Sequence, residues 1–458
     1  MDKYLSRSID QALLEWKDNP RRKPLLVRGA RQVGKSSTIR HLGKSFKYFL
    51  EVNVERNPEV MEFFKGSRDS LGSKKSIAAK LSDFFNVPVV PGETLLFLDE
   101  IQKSEDVIHS LWFFKEDYPK LHVIAAGSLL EFALKDLSSF GVGRVSSLFV
   151  YPMSFDEFLT ATGQEGLLRT KRNSSPMNPL PEAFYNRLVE AFRSYMLVGG
   201  MPEAVATYTE TGSYRYSSDI VNEIIQGYQD DFAKYGAKAN PLLLRQTLIS
   251  VAHQAGAKFV YSRVEGQYRS AEVKVALEML KDAGLIIPTY HTDANGVPLG
   301  AEINERVVKY LIHDTGVLLG ILGIDDDIDD SIKEMMVADS IDLVDKGHVA
   351  EMMAGLELVK YSSPQKRHQL YYWQNMNKGT CAEVDYVIAR SGSIVPIEVK
   401  SGVKGSMGSM YSLMRNPQKH IEMGIRCSLE NFGTFESPDG KKIDIIPLYA
   451  ISNLFAEK

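Results

Sequence analysis

The sequence predicts an α/β chain built on a parallel sheet that carries a phosphate-binding loop, with smaller modules following it. Three observations predict this. Short apolar strands alternate with helical stretches up to about Pro152, a complete Gly-x-x-x-x-Gly-Lys-Ser loop follows the first strand, and the third strand ends in two acids. The strands fall at 25–27, 48–52, 95–98, 123–126 and 148–150. Runs that are apolar throughout and separated by helices belong to a sheet covered on both faces.

A chain of 458 residues is longer than one ordinary domain, so two to four are expected. Hydrophobic residues at 44% and charged residues at 24% are ordinary for a globular protein, and the net charge of -4 gives no global basic excess to announce nucleic acid. The two cysteines, Cys381 and Cys427, exclude a disulfide framework and any cysteine-rich zinc module, and fit a reducing cytoplasmic setting. There is no N-terminal signal core and no apolar run long enough to span a bilayer, so no membrane partner is expected. The nine histidines lack metal-ligand spacing, and no serine or cysteine triad can be assembled.

Gly29, Ala30, Arg31, Gln32, Val33, Gly34, Lys35 and Ser36 match the phosphate-loop pattern in full, between a strand and a helix, which is the context the pattern needs. Glycines let backbone N–H groups close around phosphate oxygens, and the helix N-terminus adds positive potential. Lys35 is expected to reach the β- and γ-phosphates of ATP and Ser36 to ligate Mg²⁺, with Ser37 counted among the nucleotide-binding residues. The strand at 95–98 delivers Asp99 and Glu100 to the carboxyl edge of the sheet, which faces the ligand crevice in open α/β folds. Asp99 is expected to hold Mg²⁺ through water, and Glu100 to orient and deprotonate the attacking water. Ser128 reads as a contact to the γ-phosphate or attacking water, or as a helix cap, and the two roles can coexist. Arg144 reads either as a solvated side chain or as a cation on the transferring phosphate, acting within its subunit or across a homo-oligomer.

The segment 29–36, Leu98-Asp99-Glu100-Ile101-Gln102, Ala126-Gly127-Ser128-Leu129-Leu130, Pro152-Met153-Ser154-Phe155-Asp156-Glu157-Phe158 and Gly199-Gly200-Met201-Pro202 together resemble a family of prokaryotic AAA-type ATP-binding proteins. The resemblance covers nearly the whole chain. It implies an AAA-type P-loop core over 1–152, a helical lid over 153–239, a winged-helix region over 240–324 and an α/β restriction-endonuclease-like module over 325–458. It also places Gln102 in an extended acid-strand motif and marks 309–316 as a family segment, read here as a strand and turn buried under the wing.

The residues of the later regions are compatible with that layout. The polar stretch 171–181 reads as an exposed loop and the acidic run 325–330 as a solvated linker. Val273, Leu277 and Leu280 make one apolar stripe of a helix over 270–283, while Lys274 and Lys281 share another face. With a hairpin turn at Asp293-Ala294-Asn295-Gly296, this fits a winged helix that either enters a DNA groove or packs only against protein. Glu265, Glu272, Glu278 and Asp282 dilute its positive face.

In the last region, 383–388 and 395–400 alternate polar and apolar residues as half-buried strands do. Glu398 and Lys400 then share a face, and Asp385 on the preceding strand can meet them. Two acids and a lysine at one point suit Mg²⁺-assisted phosphodiester hydrolysis. This looks like the PD-(D/E)XK nuclease pattern, and the resemblance adds Glu351 as the helical acid, making Glu351, Asp385 and Glu398 the expected metal ligands. Two functions stay open: an ATPase coupled to a nucleic-acid-associated nuclease-like module, or a nucleotide-controlled switch whose inactive C-terminal module binds protein partners. A small-molecule kinase fits less well, because two further modules follow the lid.

Overall fold

The computed structural model describes residues 4–65, 76–128, 130–136, 143–235, 239–323, 346–375, 382–402 and 405–455. Leu129, Cys381 and the acidic run at 325–330 lie outside the described residues. The chain forms two compact units, one of Met1–Tyr151 with Asp282–Gly284 and Ser363–Arg367, the other of Pro152–Lys281, Leu285–Ser362 and His368–Lys458.

In the first unit, β1 (Leu25–Arg28), β2 (Tyr48–Asn53), β3 (Thr94–Asp99), β4 (His122–Ala126) and β5 (Ser146–Phe149) make one sheet in the order β2-β3-β4-β1-β5. Every neighbouring pair is parallel, as the alternating pattern predicts. All residues of β3 and β4 are buried, so these strands have no solvent face. Leu26, Leu50, Leu96, Leu98 and Val123 pack with Leu111 and Phe114 of the helix Glu105–Asp117. That helix starts where it does because the Ser104 side chain accepts the Val107 N–H, and Glu105 and Asp106 in its first turn suit the helix dipole. With all five strands parallel, their carboxyl ends share one edge. β4 alone separates β1, which runs into the phosphate loop, from β3, which ends in the acid pair.

Two buried histidines carry a pH signature. His122 places Nε2 3.1 Å from the Lys17 carbonyl and Nδ1 3.4 Å from an Arg22 Nη2, so Nε2–H donates and Nδ1 accepts. In the second unit, His313 donates from Nδ1 to the Leu285 carbonyl and accepts the Tyr228 hydroxyl at Nε2. Burial pulls both imidazoles down to about 4. Each folded-state value lies below the unfolded one, so acidification protonates the unfolded chain first. Stability is therefore full above about pH 6.5 and falls progressively toward pH 4. Unfolding at pH 5 against pH 7 should show a loss on the order of 1–2 kcal/mol per histidine. Denaturant melts of His122→Gln and His313→Gln check this, because each variant should flatten the profile of its own unit.

The second unit begins with a capping box, in which the Ser154 hydroxyl accepts the Glu157 N–H and the Glu157 carboxylate accepts the Ser154 N–H. Helices Phe155–Ala161, Glu165–Arg172, Glu182–Val198, Pro202–Thr211 and Tyr214–Phe232 follow. β6 (Ile286–Thr292) and β7 (Ile303–Ile312) are antiparallel, and β6 also pairs in parallel with β8 (Leu370–Gln374), which β9 (Glu383–Val384) borders. A second sheet holds β10 (Tyr386–Arg390), β11 (Ser393–Val399), β12 (Met423–Ser428), β13 (Gly433–Glu436) and β14 (Lys442–Pro447) in the order β10-β11-β12-β14-β13. The helix Gly408–Arg415 sends Met410, Leu413 and Met414 into a core shared with Val387, Ile394 and Ile443.

Several sequence expectations change here for physical reasons. The stretch read as an exposed loop at 171 starts with Lys171 at 0% exposure, on the last turn of the helix Glu165–Arg172 and paired with Asp156. The turn at 293–296 is part of a longer connection that includes a 3₁₀ turn at Leu299–Glu302. That connection is tied down by Lys419, which donates to the Asp293 carbonyl and to Asn295 Oδ1. The strand read through 383–388 breaks at Asp385, between β9 and β10.

Candidate functional site

The phosphate loop leaves β1 and enters the helix Lys35–Gly43 through three residues of positive φ: Gly29 (143°), Gln32 (64°) and Gly34 (91°). A Cβ on Gly29 would stand 2.1 Å from the Val150 carbonyl oxygen, so glycine is required there for close approach as well as for its φ. Lys35 is buried and donates to the carbonyls of Gly29 (2.9 Å) and Ala30 (2.6 Å). Burial brings its ammonium down to about 8, against the opposing pull of Glu100 and Asp99. Those bonds satisfy the ammonium at the mouth of the loop where phosphate oxygens would replace the carbonyls. Across the crevice, Ser36 Oγ donates to Asp99 Oδ2 at 3.2 Å, so the two expected Mg²⁺ ligands already face each other. Burial and the neighbouring Glu100 raise the Asp99 carboxyl, the signature of an acid that a cation would relieve. The donor set, a hydroxyl and a carboxylate beside a phosphate cradle, fits Mg²⁺.

Glu100 sits at φ 52°, ψ 41°, a left-handed conformation that costs a glutamate strain and that persists only where its surroundings impose it. Its Oε2 accepts Gln102 Nε2 at 2.5 Å and Ser128 Oγ at 3.1 Å. Gln102 therefore clamps the acid, and Ser128 reaches Glu100 directly. Arg144 is 41% exposed, pairs with Glu116 at 3.1 Å and lies over the Trp112 ring at 4.1 Å. Those contacts tie it to the helix Glu105–Asp117. Sequence reasoning missed Arg7, which donates to the Val33 carbonyl of the loop (3.0 Å) and to Tyr151 (2.7 Å). No local signal marks it, since both partners are remote along the chain.

The second cluster lies in the other unit. Tyr386 pairs with Ile397 in the antiparallel register, which sets Asp385 opposite Glu398. Asp385 Oδ2 accepts the Val399 N–H at 2.7 Å, and Lys400 Nζ donates to Glu398 Oε1 at 2.6 Å. Gly405 makes room for that lysine, since a Cβ there would lie 2.6 Å from Lys400 Cδ. Glu398 is 5% exposed, and its Oε2 is buried with no hydrogen-bond partner. Burial first, then Asp385, pushes Glu398 up to about 7. Burial likewise pushes Glu351 up to about 8, with Asp385 adding to it and Lys309 opposing.

An orphaned buried carboxylate oxygen beside a second acid fits one divalent cation at Asp385 and Glu398. The expected third ligand is arranged differently. Glu351, on the helix Lys346–Lys360, points to Lys309 on β7, a residue to which the sequence assigned no chemistry. Among the described residues, no three His, Cys, Asp or Glu side chains are gathered as a metal site. Among them too, no helix is long and apolar enough to cross a membrane.

A parallel sheet carrying a phosphate loop on one strand and an Asp-Glu pair on another is the arrangement of a P-loop fold of AAA type. The family comparison agrees: residues 21–159 match a family described as an AAA domain. Residues 189–328 and 346–451 match two families described as domains of unknown function, DUF8612 and DUF4143. No curated protein matches the chain. Among solved structures, unliganded Pif1 from Bacteroides sp matches at 11% identity and a TM-score of 0.23, covering 38% of this chain and 53% of that one. The chain thus spans about half the length of that structure. Drosophila ORC bound to DNA matches at 17% identity and a TM-score of 0.26, over 68% of this chain and 84% of that one. Likenesses this weak carry no functional argument.

Proposed function

We propose that the chain is a Mg²⁺-dependent ATPase whose cycle serves a C-terminal nuclease-like module that engages nucleic acid. The observation that carries the ATPase reading is the arrangement of Lys35, the facing Ser36 and Asp99, and the clamped Glu100 in one crevice. In this reading Lys35 trades its two loop carbonyls for β- and γ-phosphate oxygens, and the loop N–H groups cradle the same oxygens. Ser36 and Asp99 hold Mg²⁺, which when bound neutralises charge developing on the phosphates. Glu100, aimed by Gln102 and Ser128, accepts the proton of the attacking water. Arg144 serves as a finger only if a second copy of the chain brings it to the phosphates. The lid, winged-helix and nuclease-like layout remains the proposed organisation of 153–458, with Lys274 and Lys281 as candidate DNA contacts.

The nuclease-like reading draws support from Asp385 and Glu398, which the strand register sets opposite each other, and from Lys400, which donates to Glu398. Asp385 and Glu398 would hold the divalent ion, which would supply Lewis-acid stabilisation of a scissile phosphate. Lys400 would hold the attacking water. The alternative, a nucleotide-controlled switch that binds protein and cuts nothing, draws support from Lys309, which already pairs with Glu351 and Glu383, and from Lys400, which pairs with Glu398.

ATP turnover by the full chain, measured with and without a panel of DNA and RNA, tests the ATPase reading. Lys35→Ala should lower turnover roughly 100-fold or more, the scale seen when one oxyanion donor is lost. Unchanged turnover in that variant would sink the site. Stimulation by DNA or RNA with Mg²⁺-dependent cleavage supports the first reading. Nucleotide-dependent protein association without either effect supports the switch.

A further inference from the structure

Lys309 stands on β7 at 1% exposure, and its backbone is fixed by pairing with Thr289 on one side and Lys258 on the other. Its ammonium lies 2.8 Å from Glu351 Oε1 and 2.5 Å from Glu383 Oε1, over the Tyr372 ring at 4.9 Å. A lysine this deeply buried is tolerable only when its charge is paired. Glu383 is two residues from Asp385, and the hydroxyl of the next residue, Tyr386, donates to the Glu351 carbonyl at 2.8 Å. The Lys309 triad and the Asp385–Glu398–Lys400 group are therefore two halves of one cluster.

Charge separates the halves. Glu351 and Glu383 are bridged by a fixed cation supplied by the chain itself. Asp385 and Glu398 share a single lysine, bound to Glu398 alone, and leave Glu398 Oε2 orphaned.

Building on the nuclease-like reading of this module, we propose that Lys309 is the residue that sets the cluster's cation stoichiometry. Its ammonium fills the position between Glu351 and Glu383 that a second divalent ion would otherwise take. The cluster then takes one divalent ion, between Asp385 and Glu398. Glu351 is thereby a positioning residue for Lys309 and not a ligand. The segment 309–316 acquires a chemical role from its first residue, while Asp314 in the same segment is structural: it caps the helix Thr315–Ile321 and accepts the Gly200 N–H at 2.6 Å.

The test is calorimetric titration of the nucleotide-free full chain with MnCl₂. Without nucleotide phosphates the P-loop site contributes little, because ATPase sites hold the ion largely through them. Wild type should bind one Mn²⁺ per chain, lost in Glu398→Gln. Lys309→Met should bind two, the second lost again when Glu351→Gln is added. Lys309→Met that folds and still binds one Mn²⁺ overturns the proposal, as does a wild type that binds two with one lost in Glu351→Gln.

Glu351→Gln alone covers the case in which Lys309→Met does not fold. Because Glu351 serves Lys309, the wild-type count of one should persist, and its loss would make Glu351 a ligand and overturn the idea. A wild type that binds none counts against the Asp385–Glu398 site and so against the nuclease-like reading. The Lys309 assignment survives that result if Lys309→Met then gains one ion dependent on Glu351.

Discussion

Replacing Glu100 with glutamine should lower the turnover of ATP by roughly 10²–10⁴-fold, the range a positioned general base contributes, while leaving nucleotide affinity close to wild type. The expectation rests on the two side-chain donors that converge on Glu100 Oε2, the Gln102 amide at 2.5 Å and the Ser128 hydroxyl at 3.1 Å. They hold one carboxylate oxygen in place. An amide in its place keeps the shape and can still accept one of those donors, but it cannot take a proton. Equilibrium binding of a fluorescent ATP analogue, measured beside steady-state turnover, separates the two effects. Affinity that falls in step with turnover would instead make Glu100 a structural support, held in its left-handed backbone conformation for some other reason.

Lys171→Met should cost the second unit about 3–5 kcal/mol, the scale for stripping one partner from a buried ion pair. Lys171 is fully buried and donates to Asp156 and, at 2.7 Å, to Ser452 Oγ. Asp156 also accepts Arg172 and the Tyr361 hydroxyl. Burial works against the Asp156 charge, yet Lys171 and these neighbours hold its carboxyl below the ordinary value. Methionine fills the volume and removes the cation, leaving a buried carboxylate with one largely exposed arginine to balance it. The calorimetric transition of the second unit should move down, while adding Asp156→Asn should recover part of the loss, because removing both partners leaves no uncompensated charge. A shift no larger than that of a surface lysine would show that Arg172 and Tyr361 suffice.

The parts legible in the sequence are those whose chemistry is local. Periodicity located β1 to β5, and the spacing from Gly29 to Ser36 located the cradle, because a phosphate loop must be contiguous to close around its ligand. The acid pair after β3 was legible because a strand must deliver it to the ligand edge. Illegible were side chains whose meaning depends on remote partners. Arg7 looks like any N-terminal arginine until Val33 and Tyr151 approach it. Lys171 sits in a polar run that reads as solvent-facing, and only Asp156 and Ser452 explain its burial. The C-terminal acids were found by strand alternation, but Lys309 was not, because a lysine within an apolar strand carries no signature of the carboxylates that will surround it. Gln102 came from resemblance alone, and its contact with Glu100 now gives it a physical role.

The same remote pairings have a consequence for how the chain acquires its structure during synthesis. Phe155 donates its N–H to Glu357, 202 residues later, and Lys171 meets Ser452, 281 residues later. Gly200 waits for Asp314 across 114 residues. A nascent chain that has emerged as far as the helix Tyr214–Phe232 therefore carries Asp156 and Lys171 without Tyr361 or Ser452, and cannot close around them. The first unit, whose five strands lie within residues 25–149, can form its sheet early, whereas the second must stay open until Ser452 has emerged. Ribosome-bound fragments ending near residue 330 should accordingly protect the first sheet from protease and leave the helices after Pro152 cleavable.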